Sequence, residues 1–133
     1  MGSNKHQNVV AVNDEMLDAN NHVGNVEYVR LMQDVAVEHS DSVGCTRITN
    51  DLGCAWFVRA HSIEYKRPAV RGDTLVITTW IENTDLLRST RKYIFENEEG
   101  TTIYATAETT WILVDASSGR PRRIPEELIG LFW

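Results

Sequence analysis

A short segment, LDANNHVGN (residues 17–25), concentrates side chains that can do acid–base chemistry. It supplies Asp18, Asn20, His22 and Asn25 directly before a stretch with helical spacing. The first turn of a helix has free backbone N–H groups and a partial positive charge, which can stabilise an oxyanion. A nearby carboxylate could act as a base or a nucleophile, and a histidine and amides could orient water or substrate. Asp, Asn and Gly are also common in polar loops and helix caps, so the residue types alone leave both interpretations open.

The elements that must position this segment follow a simple order. The apolar run at 8–12 predicts a strand, and the spacing within 26–44 predicts one helix of four to five turns. The apolar stripe of this helix contains Val29, Met32, Val35 and Ala36. Strand-like stretches follow at 55–68, 74–82, 89–96 and 101–115, before a short C-terminal helix. Strands joined by short turns form an antiparallel sheet, so we predict an α+β fold whose sheet wraps around the one long helix.

Composition excludes several classes of protein. The 133 residues carry a formal net charge of −6, which argues against general affinity for nucleic acid. No apolar run is long enough to span a membrane, and the first residues lack a signal-peptide pattern, so we expect a cytoplasmic protein. Cys45 and Cys54 fit no zinc spacing and are expected to be reduced structural thiols. His39, near the end of the long helix, is expected to interact with the helix dipole.

Two segments carry a resemblance to a known family. LDANNHVGNVEY (17–28) resembles the opening of the central helix in hotdog-fold thioesterases, and is similar to the Asp-x-Asn-x-His-Val-x-Asn-x-x-Tyr pattern of acyl-ACP thioesterases. IEYKRPAVRGDTLVITT (63–79) resembles the following strand-turn-strand, also found in the 4-hydroxybenzoyl-CoA thioesterase-like group. The resemblance spans 9–114 and implies that residues 1–133 form a single hotdog thioesterase domain, an antiparallel sheet wrapped around a central helix.

The resemblance also implies catalytic roles. Asp18 would be the nucleophile or general base, while Asn20 and His22 would position the reacting groups. A backbone N–H near Asn25 would face the thioester carbonyl. The family's Glu-Cys pair is replaced by Pro68 and Ala69 in this sequence. This departure favours the small single-domain bacterial type, in which Asp18 carries the main chemistry.

Candidate substrate contacts lie outside this catalytic set. Tyr28 matches an aromatic position one turn into the helix, where it could also serve packing. Lys66, Arg67 and Arg71 could attract the phosphates of coenzyme A or phosphopantetheine, or could belong to a solvated turn. Glu64 could assist catalysis or point to solvent, because alternation along its strand allows either.

We therefore predict a thioester hydrolase that acts on acyl-CoA or acyl-ACP, with the acyl chain in an apolar tunnel beside the helix. No metal or cofactor is implied, and a homodimer or homotetramer is expected by resemblance. Two alternatives remain: a hotdog dehydratase or hydratase, and a noncatalytic module that binds acyl thioesters.

Overall fold

The protein is described by a computed structural model over residues 4–133. The first half of the chain contains strand β1 (Lys5–Ala11), helices α1 (Asn25–Ser42) and α2 (Cys45–Asp51) and strand β2 (Cys54–Tyr65). The second half contains strands β3 (Thr74–Thr84), β4 (Ser89–Glu96), β5 (Ile103–Asp115) and β6 (Pro121–Arg122) and helix α3 (Glu126–Ile129). Short 3₁₀ turns lie at Asp14–Met16 and Gly130–Phe132.

All strands belong to one antiparallel sheet. The strand order is β1-β3-β4-β5-β2, and the two-residue β6 pairs with β5. The chain crosses from β2 at one edge to β3 beside β1 near the other, and then forms the β3–β4 and β4–β5 hairpins. This arrangement confirms the predicted α+β class, with a sheet packed on one long helix.

Helix α1 buries a wider stripe than the sequence pattern predicts. Val29 is only half-buried, whereas Tyr28 and Leu31, which lie beside the predicted stripe, are buried. A helix that packs into a curved sheet buries a broad face, so residues at the stripe's edge also become core. The Tyr28 ring packs edge-on against Phe95 of β4, with ring centroids 5.0 Å apart.

The core divides into two clusters along α1. The first core cluster lies under the N-terminal half and includes Met32, Val35 and Phe95. The second core cluster lies at the C-terminal end, and its buried members are Cys45, Cys54, Ile81, Leu113, Ile124, Leu128 and Phe132. Both cysteines are free and buried.

Helix α2, which closes the second core cluster, was not predicted. Gly44 lies between α1 and α2 with a φ of +81°, a left-handed conformation that glycine adopts without strain. The predicted stop at Gly44 is therefore a bend between two helices.

The two ends of the described chain meet beside α1. The backbone N–H of Asn4 donates to the carbonyl of Phe132 at 2.6 Å. The Asn4 side chain also contacts Nε2 of the buried His39. No helix within residues 4–133 is long and apolar enough to cross a membrane.

Candidate active site

The polar segment before α1 folds into a tight turn. Leu17 and Val23 form an isolated antiparallel bridge, and between them the Asp18 N–H donates to the His22 carbonyl at 2.7 Å. Asn21 sits in this turn with a φ of +61°, a conformation that asparagine tolerates better than most residues. The backbone conformation of this turn thus accounts for one of the asparagines in the polar segment.

This turn is tied to the rest of the fold through backbone hydrogen bonds. The Val23 N–H donates to the Ala69 carbonyl at 2.9 Å, and the Gly24 N–H donates to the Met16 carbonyl at 3.0 Å. Ala69 is 1% exposed. Ala69, which stands at one of the two positions of the family's Glu-Cys pair, therefore anchors the turn through its backbone carbonyl.

The two carboxylate oxygens of Asp18 have different surroundings. Oδ1 accepts the backbone N–H groups of Asn20 at 2.9 Å and His22 at 3.2 Å. Within residues 4–133, Oδ2 has no hydrogen-bond donor. One oxygen therefore holds the turn in shape while the other remains available to a substrate or a water molecule.

Helix α1 begins without a side-chain cap. Its N-cap, Gly24, has extended backbone and its carbonyl accepts the N–H groups of Glu27 and Tyr28 at 3.0 and 3.4 Å. The N–H groups of Asn25 and Val26 meet no acceptor in the described part of the chain. These two donors and the positive end of the helix dipole can receive an oxyanion.

Asp18 and the start of α1 border the same cavity, which has a volume of about 240 Å³. We call it the Asp18 cavity, and its lining residues are Asp18, His22, Val23, Asn25, Tyr28, Tyr65, Lys66, Arg67 and Pro68. Two predicted site residues lie outside this lining. Asn20 is exposed and contributes its backbone N–H to Asp18, and Arg71 pairs with Asp14 on the surface.

Two tyrosines form one wall of the Asp18 cavity. Tyr28 is 2% exposed, and its ring meets that of Tyr65 edge-on at 5.3 Å. Burial, with smaller contributions from Tyr65 and other neighbours, raises the pKa of Tyr28 to about 12, so its phenol stays neutral. Sequence reasoning did not select Tyr65, although its position at the end of β2, directly before Lys66, was a usable signal.

Glu64 faces away from the Asp18 cavity. Its Oε1 accepts from Lys66 Nζ at 2.9 Å, and its side chain lines a groove on the other face of the sheet beside Trp80 and Lys92. Among the described residues that line the Asp18 cavity, Asp18 is therefore the only one with a carboxylate. Residues 4–133 hold no cluster of three His, Cys, Asp or Glu side chains that could bind a metal ion.

Known protein structures share this architecture. The chain matches a crystal structure described as an oleoyl thioesterase from Lactobacillus plantarum with a TM-score of 0.91 and 14% identity, covering 98% of this chain and 50% of that one. A Staphylococcus aureus protein solved in complex with CoA matches with a TM-score of 0.86 and 22% identity, and the match covers 98% of this chain and 83% of that one. The 12:0-ACP thioesterase from Umbellularia californica matches with a TM-score of 0.86 and 18% identity, and the match covers 97% of this chain and 51% of that one.

These similarities confirm the predicted hotdog fold. The chain spans about half the length of the Lactobacillus and Umbellularia proteins and most of the Staphylococcus protein. A comparison with curated protein sequences finds no match. The family model for the acyl-ACP thioesterase N-terminal domain matches residues 3–132, nearly the whole chain. The chain therefore belongs to the acyl-ACP thioesterase family, as its two sequence motifs predict.

Proposed function

We propose that this domain hydrolyses an acyl thioester of coenzyme A or acyl carrier protein at the Asp18 cavity. The observation that carries this proposal is the convergence of Asp18, His22 and the uncapped start of α1 on one cavity. In acyl transfer from a thioester, a carboxylate can act as the nucleophile or general base, and free N–H donors can stabilise the oxyanion.

The reaction would begin with the thioester carbonyl in front of α1. Its oxygen would accept the N–H groups of Asn25 and Val26, which stabilise the negative charge that develops there. The loss of one such donor typically costs about 3 kcal/mol of transition-state stabilisation. The free Oδ2 of Asp18 would attack the carbonyl carbon or take a proton from an attacking water molecule.

The leaving group and its proton complete this step. The carbon–sulfur bond breaks, and the leaving thiolate becomes the free thiol by taking up a proton, which comes from Asp18 in the water route and from solvent in the direct route. In the direct route, water then hydrolyses the acyl–Asp18 anhydride and restores the carboxylate. His22 and Asn20 would position the water and the thioester, His22 from within the cavity and Asn20 through its backbone hydrogen bond to Asp18.

The basic residues beside the cavity suit a phosphorylated carrier. Lys66 and Arg67 line the Asp18 cavity, whereas Arg71 lies outside it and is paired with Asp14. Coenzyme A and the prosthetic arm of acyl carrier protein both end in phosphopantetheine, which charge-assisted hydrogen bonds can hold. Among the similar structures, one is named for an ACP substrate and another was solved with CoA.

We also propose that the domain works as a homodimer or homotetramer. Strand β2 lies at an edge of the sheet and, within residues 4–133, pairs only with β5. Phe57 and Tyr65 on this strand are 59% and 46% exposed. A long edge with exposed aromatic side chains favours pairing with another copy. Light scattering at micromolar concentration checks this, and a stable monomer near 15.1 kDa would contradict it.

The proposed setting of this domain is the cytoplasm. The two buried free thiols, Cys45 and Cys54, are compatible with a reducing compartment. Fractionation of cells that produce the protein tests its location.

A thiol-release assay tests the proposed activity. Purified protein is incubated with acyl-CoA and acyl-ACP substrates of short, long, 3-oxo and aromatic type, and the free thiol is quantified. Asp18→Asn is expected to lower turnover by at least ~100-fold, the usual scale for loss of a general base. Asp34→Asn is a matched control, because Asp34 is an exposed carboxylate of helix α1 that lies outside the Asp18 cavity.

The outcomes separate the candidate functions. Release of thiol that requires Asp18 supports hydrolysis. Interconversion of enoyl and hydroxyacyl thioesters without thiol release would instead identify a dehydratase or hydratase. Binding of acyl thioesters without turnover would identify a noncatalytic module. Equal turnover by wild type and Asp18→Asn would refute the assignment of Asp18.

A further inference from the structure

A second cavity lies at the other end of α1, beside the second core cluster. It has a volume of about 300 Å³ and opens to solvent, and its apolar lining includes Ala36, Cys45, Trp56, Ile81, Trp111 and Phe132. It shares no lining residue with the Asp18 cavity. Ala36 lies about 12 Å along α1 from Tyr28. The completely buried Met32 and Val35 lie between these two helix positions.

A buried cation lines this second cavity. Arg91 of β4 is 2% exposed, and within residues 4–133 it forms no ion pair with a carboxylate. Its Nη1 donates to His39 Nδ1 at 2.9 Å and to Thr79 Oγ1 at 3.1 Å. A guanidinium group has five N–H donors. The three on Nε and Nη2 meet no acceptor in the described part of the chain, and residues 1–3 carry no acidic side chain.

An uncompensated buried charge is costly, and an anion supplied from solution would offset that cost. Burial lowers the pKa of Arg91 to about 10, so the guanidinium remains charged at neutral pH. The guanidinium carbon lies over the Phe132 ring, 5.5 Å from the ring centroid. The side chain is thus held by aromatic packing on one side while several donors remain unused.

We propose that the second cavity binds a small carboxylate with an apolar body. The carboxylate accepts the unused N–H groups of Arg91, because the guanidinium fork matches two carboxylate oxygens. The apolar body lies against Trp56 and Trp111. An apolar cavity of about 150 Å³ holds a benzene molecule, so this one has room for a short aliphatic or aromatic acid. The site is independent of the proposed hydrolysis.

Titration with hexanoate, and with 1-hexanol as its uncharged counterpart, tests this site by NMR. The indole N–H signals of Trp56 and Trp111 are expected to shift. Trp80, whose indole donates to Glu82 on the sheet, serves as an internal control. Hexanoate is expected to bind at least about tenfold more tightly than 1-hexanol, the scale of a hydrogen bond to a charged group. Equal binding of the two, or hexanoate shifts confined to Trp80, would overturn the proposal.

Two variants test the site in different ways. Arg91→Met is expected to abolish the preference for hexanoate while 1-hexanol binding stays within about threefold. Ser40→Phe fills the cavity from α1 without touching the buried charge, and is expected to abolish binding of both probes. If Arg91→Met fails to fold, Ser40→Phe still decides the question, because hexanoate binding that survives in it contradicts the proposal.

Two control variants should leave hexanoate binding unchanged. Arg47→Gln removes an exposed positive charge from α2 and controls for general electrostatic attraction. Asp18→Asn shows which of the two cavities binds hexanoate. Hexanoate binding that is retained in this variant supports an independent site even if hydrolysis fails. Loss of the Trp56 and Trp111 shifts in Asp18→Asn would refute it and place the ligand in the Asp18 cavity.

Discussion

The buried His39 should make the stability of this protein fall in mild acid. His39 is 1% exposed; its Nδ1 accepts from Arg91 at 2.9 Å, and its Nε2 contacts the Asn4 side-chain oxygen. Both contacts suit a neutral ring that carries its proton on Nε2. The His6 ring stacks on it with centroids 5.4 Å apart. Burial, followed by the charges of Arg91 and His6, lowers the pKa of His39 from 6.5 to about 4.

The sign of the effect follows from proton binding. Between pH 6.5 and about 4, the unfolded chain protonates His39 while the native protein does not, so acid favours unfolding. This contribution to stability is intact above pH 6.5 and is lost as pH falls towards 4. Each pKa unit corresponds to 1.36 kcal/mol, so the full shift is worth up to about 3 kcal/mol. That is a large part of a typical unfolding free energy.

Urea unfolding at pH 7, 6, 5 and 4.5 measures this effect in wild type and in His39→Gln. Glutamine does not titrate, and its amide can both accept from Arg91 and donate to Asn4. Other acid-sensitive groups, such as His61, whose pKa burial also lowers, are common to both proteins and cancel in the difference. We expect the unfolding free energy of wild type to fall by about 2 kcal/mol more than that of the variant. Parallel pH profiles within about 0.5 kcal/mol would refute the reasoning.

Three further predictions concern the Asp18 cavity and the turn beside it. His22→Ala should lower kcat by roughly 10–100-fold, less than Asp18→Asn, since it removes positioning rather than the acid; a merely structural His22 would lower Tm and leave kcat unchanged. Asn21→Val should cost about 1 kcal/mol or more in urea unfolding because a β-branched residue resists φ near +61°, whereas Asn21→Gly should be tolerated; equal stabilities would contradict this. Replacing Lys66 and Arg67 by Gln should raise KM and weaken its salt dependence with little change in kcat, and an unchanged KM would show that they do not meet the carrier phosphates.

Local sequence signals identified most of the elements. The predicted strand at 89–96 coincides with β4, and the helix predicted within 26–44 corresponds to α1 at Asn25–Ser42. These elements are defined by their own alternation or periodicity, so short-range pattern is sufficient. The start of α1 was also predictable, because the polar segment before it matches a known family motif.

Other features depend on contacts between distant parts of the chain. Val29 was predicted to lie in the apolar stripe but is only half-buried, whereas Tyr28 at the edge of the stripe is buried, because the curvature of the sheet decides which part of the helix face is covered. His39 was expected to interact with the helix dipole, but it is buried between Asn4 and Arg91, which lie 35 and 52 positions away along the sequence. No local sequence pattern can indicate contacts with residues so far away along the chain. The position of β2 beside β5 is likewise a matter of long-range pairing.

The candidate site was predictable in its chemistry but not in its boundaries. The motif selected Asp18 and His22, and both line the cavity beside the start of α1. Arg71 belonged to the same basic cluster as Arg67, yet the turn between β2 and β3 directs it to Asp14. Tyr65, which the motif does not include, completes one wall of the Asp18 cavity.

The hydrogen bond between Asn4 and Phe132 has a consequence for engineering. Because these ends of the described chain lie side by side, a short flexible linker can join them without disturbing the sheet. New termini can then be opened at Gly100, in the exposed turn between β4 and β5, away from both cavities. Such a circular permutant would turn the β4–β5 hairpin into a non-local pairing, so it should fold more slowly while retaining the same native structure.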